Sequence, residues 1–242
     1  MADYALKYNN VLLQEAVPDA QVVNVTVQPI PIVFTMLDRV ADDGSLPVRR
    51  RLDKRTIQVE VELPLSPTVA SYATNARKLR VWAEQQQESP LVLPDYPGKY
   101  LNSVLSAMDN FSINEWYKPL KLTFTAFNDP YFNSEEESTG AVGSAIVISG
   151  DAPATPTITH EITQALTNPQ WTLAPGYVIQ LAGTYTSGTI TIDTKRGYVS
   201  KDGVSLMPNL NPASRFYRFP KGGYVITGPA GGTIAWRERW RD

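Results

Sequence analysis

The chain of 242 residues contains no cysteine, and His160 is its only histidine. Disulfide bonds, thiolate metal ligands and a cysteine nucleophile are therefore excluded. A serine triad would have to be built on His160, and a histidine-rich metal centre is impossible. His160 alternates with Ile158 and Ile162, which favours a partly buried, hydrogen-bonded strand histidine. These absences argue against an enzyme, and we expect no catalytic residue, no metal site and no cofactor.

The sequence also lacks long apolar runs and a charge excess of either sign. Its longest unbroken apolar stretch, Ala145–Ile148, has four residues, whereas a membrane-spanning helix needs about 20. The N-terminus has no basic region followed by an apolar run, as a secretory signal would. Lysine and arginine number 22 against 24 aspartates and glutamates. We expect neither membrane association nor sequence-specific nucleic-acid binding.

Charge is unevenly distributed along the chain. Residues 1–137 carry 13 basic and 18 acidic side chains, whereas residues 138–242 carry 9 and 6. Residues 133–140 are polar, acidic and without an apolar anchor, as expected of an exposed linker. We therefore predict two domains, 1–137 and 138–242.

The first domain shows period-two alternation of apolar residues at 23–28, 57–63 and 120–126, which predicts half-buried strands. Residues 66–87 instead repeat apolar side chains at three and four positions. Ser66 would be the N-cap of this helix and Pro67 its first residue. One amphipathic helix is thus predicted to pack on a sheet.

The second domain consists of strand-length segments separated by turn signals. Asp202 and Gly203 supply the two positive φ angles of a tight hairpin turn, and Gly188 marks another turn. Because no helical period interrupts these segments, they indicate an antiparallel β-sandwich.

The densest charge cluster consists of Arg49, Arg50, Arg51, Lys54 and Arg55. It follows the aspartate-rich turn at 42–44 and precedes the predicted strand at Ile57. One interpretation is a solvated hairpin loop, and the other is a docking surface for a subunit or a partner. These five residues are the candidate interface.

Several weak motifs follow one another in order along almost the whole chain. They are the strand 55–63 after a hairpin at Gly44, the helical segment 77–82, and the segments 91–100, 122–131, 150–158, 188–203 and 236–240. Their order and spacing resemble the distal tail protein (Dit) family of long-tailed, siphovirus-type bacteriophages.

This resemblance implies a mainly β, two-domain, non-enzymatic structural protein. The family has an N-terminal ring-forming β-barrel or sandwich with one packed α-helix, and a C-terminal galectin-like antiparallel β-sandwich. Its members form rings, typically hexameric, that join the tail tube to the tip or baseplate hub. The implied partners are other copies of the chain, the tail tube protein, the tail-tip hub or tail-associated protein, and receptor-binding or side-fibre proteins. The implied location is the virion tail tip, after synthesis in the bacterial host cytoplasm.

Two alternatives come from other classes of protein. A lectin-like receptor-recognition module is one, but the galectin motifs that begin at histidine and tryptophan are not met at His160 or Trp236. Trp171 is the tryptophan available as a sugar platform in the strands at 144–192. The other alternative, a carboxylate-dependent hydrolase, has no recognisable acid and base spacing.

Overall fold

A computed structural model describes residues 5–38, 45–64, 68–109 and 118–241. The chain divides into two compact units. Unit 1 comprises Met1–Phe132 with Arg241–Asp242, and unit 2 comprises Asn133–Trp240. Antiparallel strands are the main regular structure of both units, so the predicted mainly β fold class is confirmed.

Unit 1 contains nine of the strands and both α-helices of the described chain. In chain order they are β1 (Lys7–Tyr8), β2 (Val11–Leu12), α1 (Leu13–Ala16), β3 (Gln21–Val27), β4 (Ile32–Asp38), β5 (Ser45–Leu52), β6 (Arg55–Glu62), α2 (Val69–Ala83), β7 (Ser89–Val92), β8 (Lys99–Met108) and β9 (Leu120–Ala126). Seven of them form one antiparallel sheet in the order β2-β1-β7-β8-β9-β6-β3. The remaining two, β4 and β5, pair only with each other.

The helix α2 begins later than its sequence pattern predicts. Its N-cap is Thr68, whose side chain accepts a hydrogen bond from the Ser71 N–H at 3.2 Å. Ser66 and Pro67 lie outside the described residues. Trp82 packs edge-on against Tyr8 of β1, with ring centroids 5.9 Å apart, and Tyr8 in turn contacts Phe124 of β9 at 5.0 Å. Three aromatic rings thus join α2 to the sheet.

Strand β3 departs from simple alternation because it contains a bulge. Its register with β6 shifts between Val22 and Asn24. An extra residue in one strand interrupts the alternation, so side chains before and after the bulge do not follow one period-two pattern. Val23, predicted to share a face with Val25 and Val27, is 52% exposed. A single inserted residue therefore reverses the expected orientation there.

Unit 2 begins within β10 (Phe132–Ser134) and continues as short strands. They are β11 (Ser138–Ala141), β12 (Ala145–Ile148), β13 (Thr157–Glu161), β14 (Leu166–Thr167), β15 (Gln170–Ala174), β16 (Tyr177–Gln180), β17 (Thr184–Tyr185), β18 (Thr189–Asp193), β19 (Tyr198–Lys201), β20 (Val204–Ser205), β21 (Gly222–Val225), β22 (Gly232–Trp236) and β23 (Arg239–Trp240), with one turn of 3-10 helix at Met207–Asn209. Six strands form an antiparallel sheet in the order β11-β22-β13-β18-β19-β20.

The core of unit 2 lies between this sheet and the pairs β12-β21 and β15-β16. Ile158, Ile192 and Ile234 come from the six-stranded sheet, and Ile146 and Trp171 come from the other strands. The antiparallel layers agree with the predicted sandwich. The predicted hairpin turn is also present, because Asp202 and Gly203 have φ angles of 49° and 81° between β19 and β20.

Residues 133–140, predicted as an exposed linker, are instead held by the end of unit 2. Strand β11 pairs with β22, with Ser138 opposite Trp236. The Arg237 guanidinium donates to the Ser134 carbonyl at 2.9 Å and lies 3.9 Å from the Glu137 carboxylate. The acidic residues therefore meet a cation far along the chain, which local composition does not reveal. The units divide at Phe132, earlier than the predicted boundary at residue 137.

The last strand of unit 2 also packs closely on the segment after β12. The Glu238 carboxylate accepts hydrogen bonds from the Ser149 and Gly150 N–H groups at 2.9 and 2.7 Å. The Arg239 carbonyl accepts from the Ala152 N–H at 3.0 Å. Gly150 lies so close that a Cβ there would overlap the Arg239 backbone.

Within the described part of the chain, no helix is long and apolar enough to cross a membrane.

Replacing Gly150 by alanine is expected to destabilise unit 2 by about 1–3 kcal/mol, because neither backbone can move without breaking these hydrogen bonds. Gly223→Ala is the matched control, since a Cβ there has open space. Urea unfolding followed by tryptophan fluorescence measures both variants. Equal stability of the two variants would contradict this account of the contact.

Candidate assembly surface

The arginines Arg49, Arg50 and Arg51 lie in strand β5 and not in a loop. Strands β4 and β5 form a two-stranded sheet of their own. Register places Arg50 opposite Phe34 and Arg51 opposite Val33. The backbone of these three arginines forms a strand and not the loop that was predicted. Whether the cluster is a docking surface stays a prediction. Arg51 is exposed, whereas the side chains of Arg49 and Arg50 lie outside the described residues.

The β4-β5 sheet exposes apolar side chains together with Arg51. Ile32 and Phe34 alternate along β4 and are 46% and 50% exposed. Residues directly opposite each other in an antiparallel pair share a face, so Ile32, Phe34, Leu52 and the Arg50 position lie on one face and Arg51 on the other. Exposed apolar residues beside cations are typical of an interface.

Lys54 is exposed, as predicted for a surface cluster. Its Nζ atom lies 5.7 Å from the ring centroid of Phe127, which is itself 54% exposed. The backbone of the Phe127 segment is fixed by Glu88, whose carboxylate accepts from Phe127 and Asn128 N–H groups. Lys54 thus extends the basic surface over an aromatic ring.

Arg55 differs from the rest of the cluster because it is buried, with 2% of its surface exposed. Its Nε atom donates to the Gln28 carbonyl at 3.1 Å, and Nη1 donates to the Pro130 carbonyl at 3.3 Å. The guanidinium also lies 4.8 Å from the ring centroid of Phe132. The strand alternation indicates this inward orientation, since Arg55 shares the face of Ile57 and Val59.

A hollow of about 520 Å³ lies in unit 1 next to the β4-β5 sheet. Three arginines and six other residues line it, and none of them is acidic: Arg51, Arg55, Arg241, Val27, Pro29, Ile30, Ile32, Leu52 and Tyr96. A surface of this composition suits an apolar side chain next to a carboxylate. Arg241 and Tyr96 carry no sequence signal for this role, because they are distant from the β4-β5 hairpin in sequence and only folding brings them next to it.

His160 has the strand position and orientation that its sequence pattern predicts. It lies in β13, is 2% exposed, and faces the core between Ile158 and Ile162. Its Nδ1 atom has no hydrogen-bond partner among the described residues. The nearest ring is that of Trp171, with centroids 6.2 Å apart. Burial lowers the pKa of His160 below its usual value of 6.5.

Trp171 is fully buried in the core of unit 2, so it is not available as a platform for a sugar. Among the described residues no group of three or more histidine, aspartate and glutamate side chains could hold a metal ion. His160 and Trp171 are thus both buried residues of unit 2.

The fold and part of the sequence are similar to known phage tail proteins. Residues 149–240 match the family model described as the siphovirus-type tail component, C-terminal domain. The fold is similar to the crystal structure of the Dit protein (gp 19.1) of phage SPP1, described as a paradigm of the hub adsorption apparatus in phages that infect Gram-positive hosts. That similarity has a TM-score of 0.77 and 16% identity, and covers 97% of this chain and 98% of that chain.

Chains of the phage P2 baseplate in its activated conformation are similar as well. The structure with calcium gives a TM-score of 0.53 and the structure with strontium gives 0.54, each at 9% identity over 97% of both chains. No curated protein matches the chain. The chain thus has the fold of a phage tail component. The resemblance to the distal tail protein family, indicated by the order of sequence motifs, is confirmed.

Replacing Arg55 by methionine is expected to destabilise unit 1 by about 2–3 kcal/mol, because two buried carbonyls lose a charged donor. Arg51→Met is the matched control, and its exposed position predicts a change within about 0.5 kcal/mol. Chemical unfolding monitored by circular dichroism measures both. An Arg55 variant as stable as the Arg51 variant would show that the buried guanidinium does not hold unit 1 together.

The buried His160 predicts a dependence of stability on pH. Since its pKa is lower in the folded chain than in the unfolded chain, the unfolded state binds the proton first as pH falls. Stability is therefore unaffected well above pH 6.5 and decreases below it, by at most about 1.4 kcal/mol per pH unit.

The measurement is urea unfolding between about pH 8 and pH 5, compared with the variant His160→Leu, which cannot titrate there. The difference between the two curves isolates this histidine from the carboxylates. Parallel curves over the whole range would contradict the prediction.

Proposed function

We propose that this chain is a structural component of a phage tail tip that assembles into a closed ring.

 The observation that carries the proposal is the similarity of its fold to SPP1 Dit over 97% of the chain. The ring would join the tail tube to the baseplate hub and act as an assembly adaptor, with no enzymatic step of its own.

The β4-β5 sheet supplies one side of the contact between neighbouring copies. Ring closure by identical subunits requires two different patches on each subunit that complement each other. The first patch is the exposed β4-β5 sheet, which carries Ile32 and Phe34 on one face and Arg51 on the other, together with Lys54 just beyond β5. Desolvated apolar residues would supply contact area, and the cations on the rim would fix register and orientation.

The second patch belongs to the acidic part of unit 1. Glu60 and Glu62 lie on the outward face of β6, opposite the face that buries Val59 and Val61. The neighbouring strand β3 is last in the sheet order and pairs only with β6 among the described strands. An exposed strand edge offers free N–H and C=O groups to a second chain. Acidic side chains beside an open edge complement the basic β4-β5 sheet.

The remaining partners follow from the same resemblance. A tail tube protein and a tail-tip hub protein would bind the two faces of the ring, and receptor-binding or side-fibre proteins would bind its periphery. Unit 2, predicted to be galectin-like, serves in this proposal as a scaffold for other tail components. The site of action is the tail tip of the virion, and the chain would be made in the cytoplasm of the bacterial host.

Reversing two charges of the first patch, Arg51→Glu with Lys54→Glu, is expected to weaken self-association by at least about tenfold, because like charges would then face each other. Sedimentation velocity over a concentration series measures the assembly of the full chain. Circular dichroism checks that the variant remains folded, as its exposed positions predict.

The control carries the same charge change in unit 2, Arg218→Glu with Lys221→Glu, where both side chains are also exposed. It should assemble as the unaltered chain does. Assembly that is insensitive to both pairs, or equally sensitive to both, would exclude the β4-β5 sheet as the specific contact.

A further inference from the structure

A second hollow of unit 1, of about 490 Å³, lies beside the exposed side of α2. Its apolar lining includes Trp82 and Val81 of α2, Val11 of β2 and Ala16 of α1. Val81 is 68% exposed and Val11 is 39% exposed. Valine has a lower helix propensity than alanine, and Val81 buries little of its surface against unit 1. Folding alone therefore does not account for this exposed apolar group.

The charged side chains that line this hollow are both basic, Arg77 and Lys78. Helix α2 contains three basic residues and no acidic one, although acidic residues outnumber basic ones in residues 1–137. Arg77 and Lys78 line the hollow, and neither forms an ion pair with another described residue. Arg80 lies 3.6 Å from Glu84, just beyond the helix. Two adjacent cations thus remain beside an apolar floor.

We propose that this hollow, the α2 hollow, binds a protein partner through an acidic segment that carries a bulky apolar side chain. The apolar side chain occupies the floor formed by Val11, Val81 and Trp82. Carboxylates on either side of it pair with Arg77 and Lys78, and the Arg77 guanidinium can form a bidentate contact. The volume lies within the range of about 300–1,000 Å³ that is usual for binding pockets.

Both features are needed to choose this occupant. A polyanion without apolar groups would neutralise the cations but leave the exposed Val11 and Val81 uncovered. An apolar segment without carboxylates would cover Arg77 and Lys78 and remove them from water without giving them an anionic partner, which is unfavourable. The α2 hollow shares no lining residue with the hollow beside the β4-β5 sheet. The inference therefore concerns a partner other than the ring neighbour and goes beyond the proposed ring.

The test uses the full chain and fluorescein-labelled peptides of equal length. One peptide alternates glutamate with leucine and phenylalanine, a second replaces the apolar residues by serine, and a third replaces glutamate by lysine. A single-stranded oligonucleotide is the polyanion probe. Fluorescence anisotropy measures affinity, and the NMR signal of the Trp82 indole N–H, which donates to the Val11 carbonyl at 3.1 Å, reports binding at the floor.

The first peptide is expected to bind at least about tenfold more tightly than the other probes and to shift the Trp82 signal. Arg77→Glu with Lys78→Glu should abolish this preference, and Val81→Ser should weaken binding several-fold. Arg218→Glu with Lys221→Glu is the charge-matched control and should leave binding unchanged.

Three results of the binding experiment would overturn the proposal. They are the absence of peptide binding, binding that survives the α2 substitutions, and tighter binding of the oligonucleotide than of the peptide. Loss of self-association in the Arg77 and Lys78 variant would assign the surface to a second copy of the chain and would equally overturn it. If this variant still assembles normally, a failure of peptide binding counts against the α2 hollow alone and not against the proposed ring.

Discussion

The buried guanidinium of Arg55 is the interaction on which the architecture of unit 1 depends. It sits at the first residue of β6 and donates to carbonyls from two other segments, at Gln28 after β3 and at Pro130 after β9. The Asp53 N–H, two residues earlier, donates to the Pro31 carbonyl at 2.9 Å. These bonds hold both ends of the β4-β5 hairpin, so the sheet that carries the exposed Arg51 starts from a rigid base.

Unit 2 uses the same principle with the charge reversed. Its Glu238 carboxylate accepts hydrogen bonds from Ser149, Gly150 and the Trp236 indole, all within 3.0 Å. Arg239 adds a bond from its guanidinium to the Pro153 carbonyl at 2.7 Å. In each unit, one ionised side chain satisfies polar groups of segments that are distant in sequence. A chain without disulfide bonds thereby joins its loops through charged hydrogen bonds.

Local patterns predicted the features that depend on neighbouring residues. The Asp202 and Gly203 turn follows from backbone preferences, and the inward position of His160 follows from strand alternation. Alternation also indicates that Arg55 points inward, a signal that its charge obscured. The bulge in β3 and the pairing of residues 133–140 with the end of unit 2 depend on distant strands. No local pattern contains that information, and the same holds for Arg241 in the hollow beside the β4-β5 sheet.

In the proposed assembly, copies of this chain close into a ring through the β4-β5 sheet. A single-particle electron microscopy reconstruction of the purified full-length chain tests it most directly. The account predicts closed rings in which Arg51 and Phe34 lie at the boundary between neighbouring subunits. Monomeric particles at high concentration, or rings in which both residues face solvent, would contradict it.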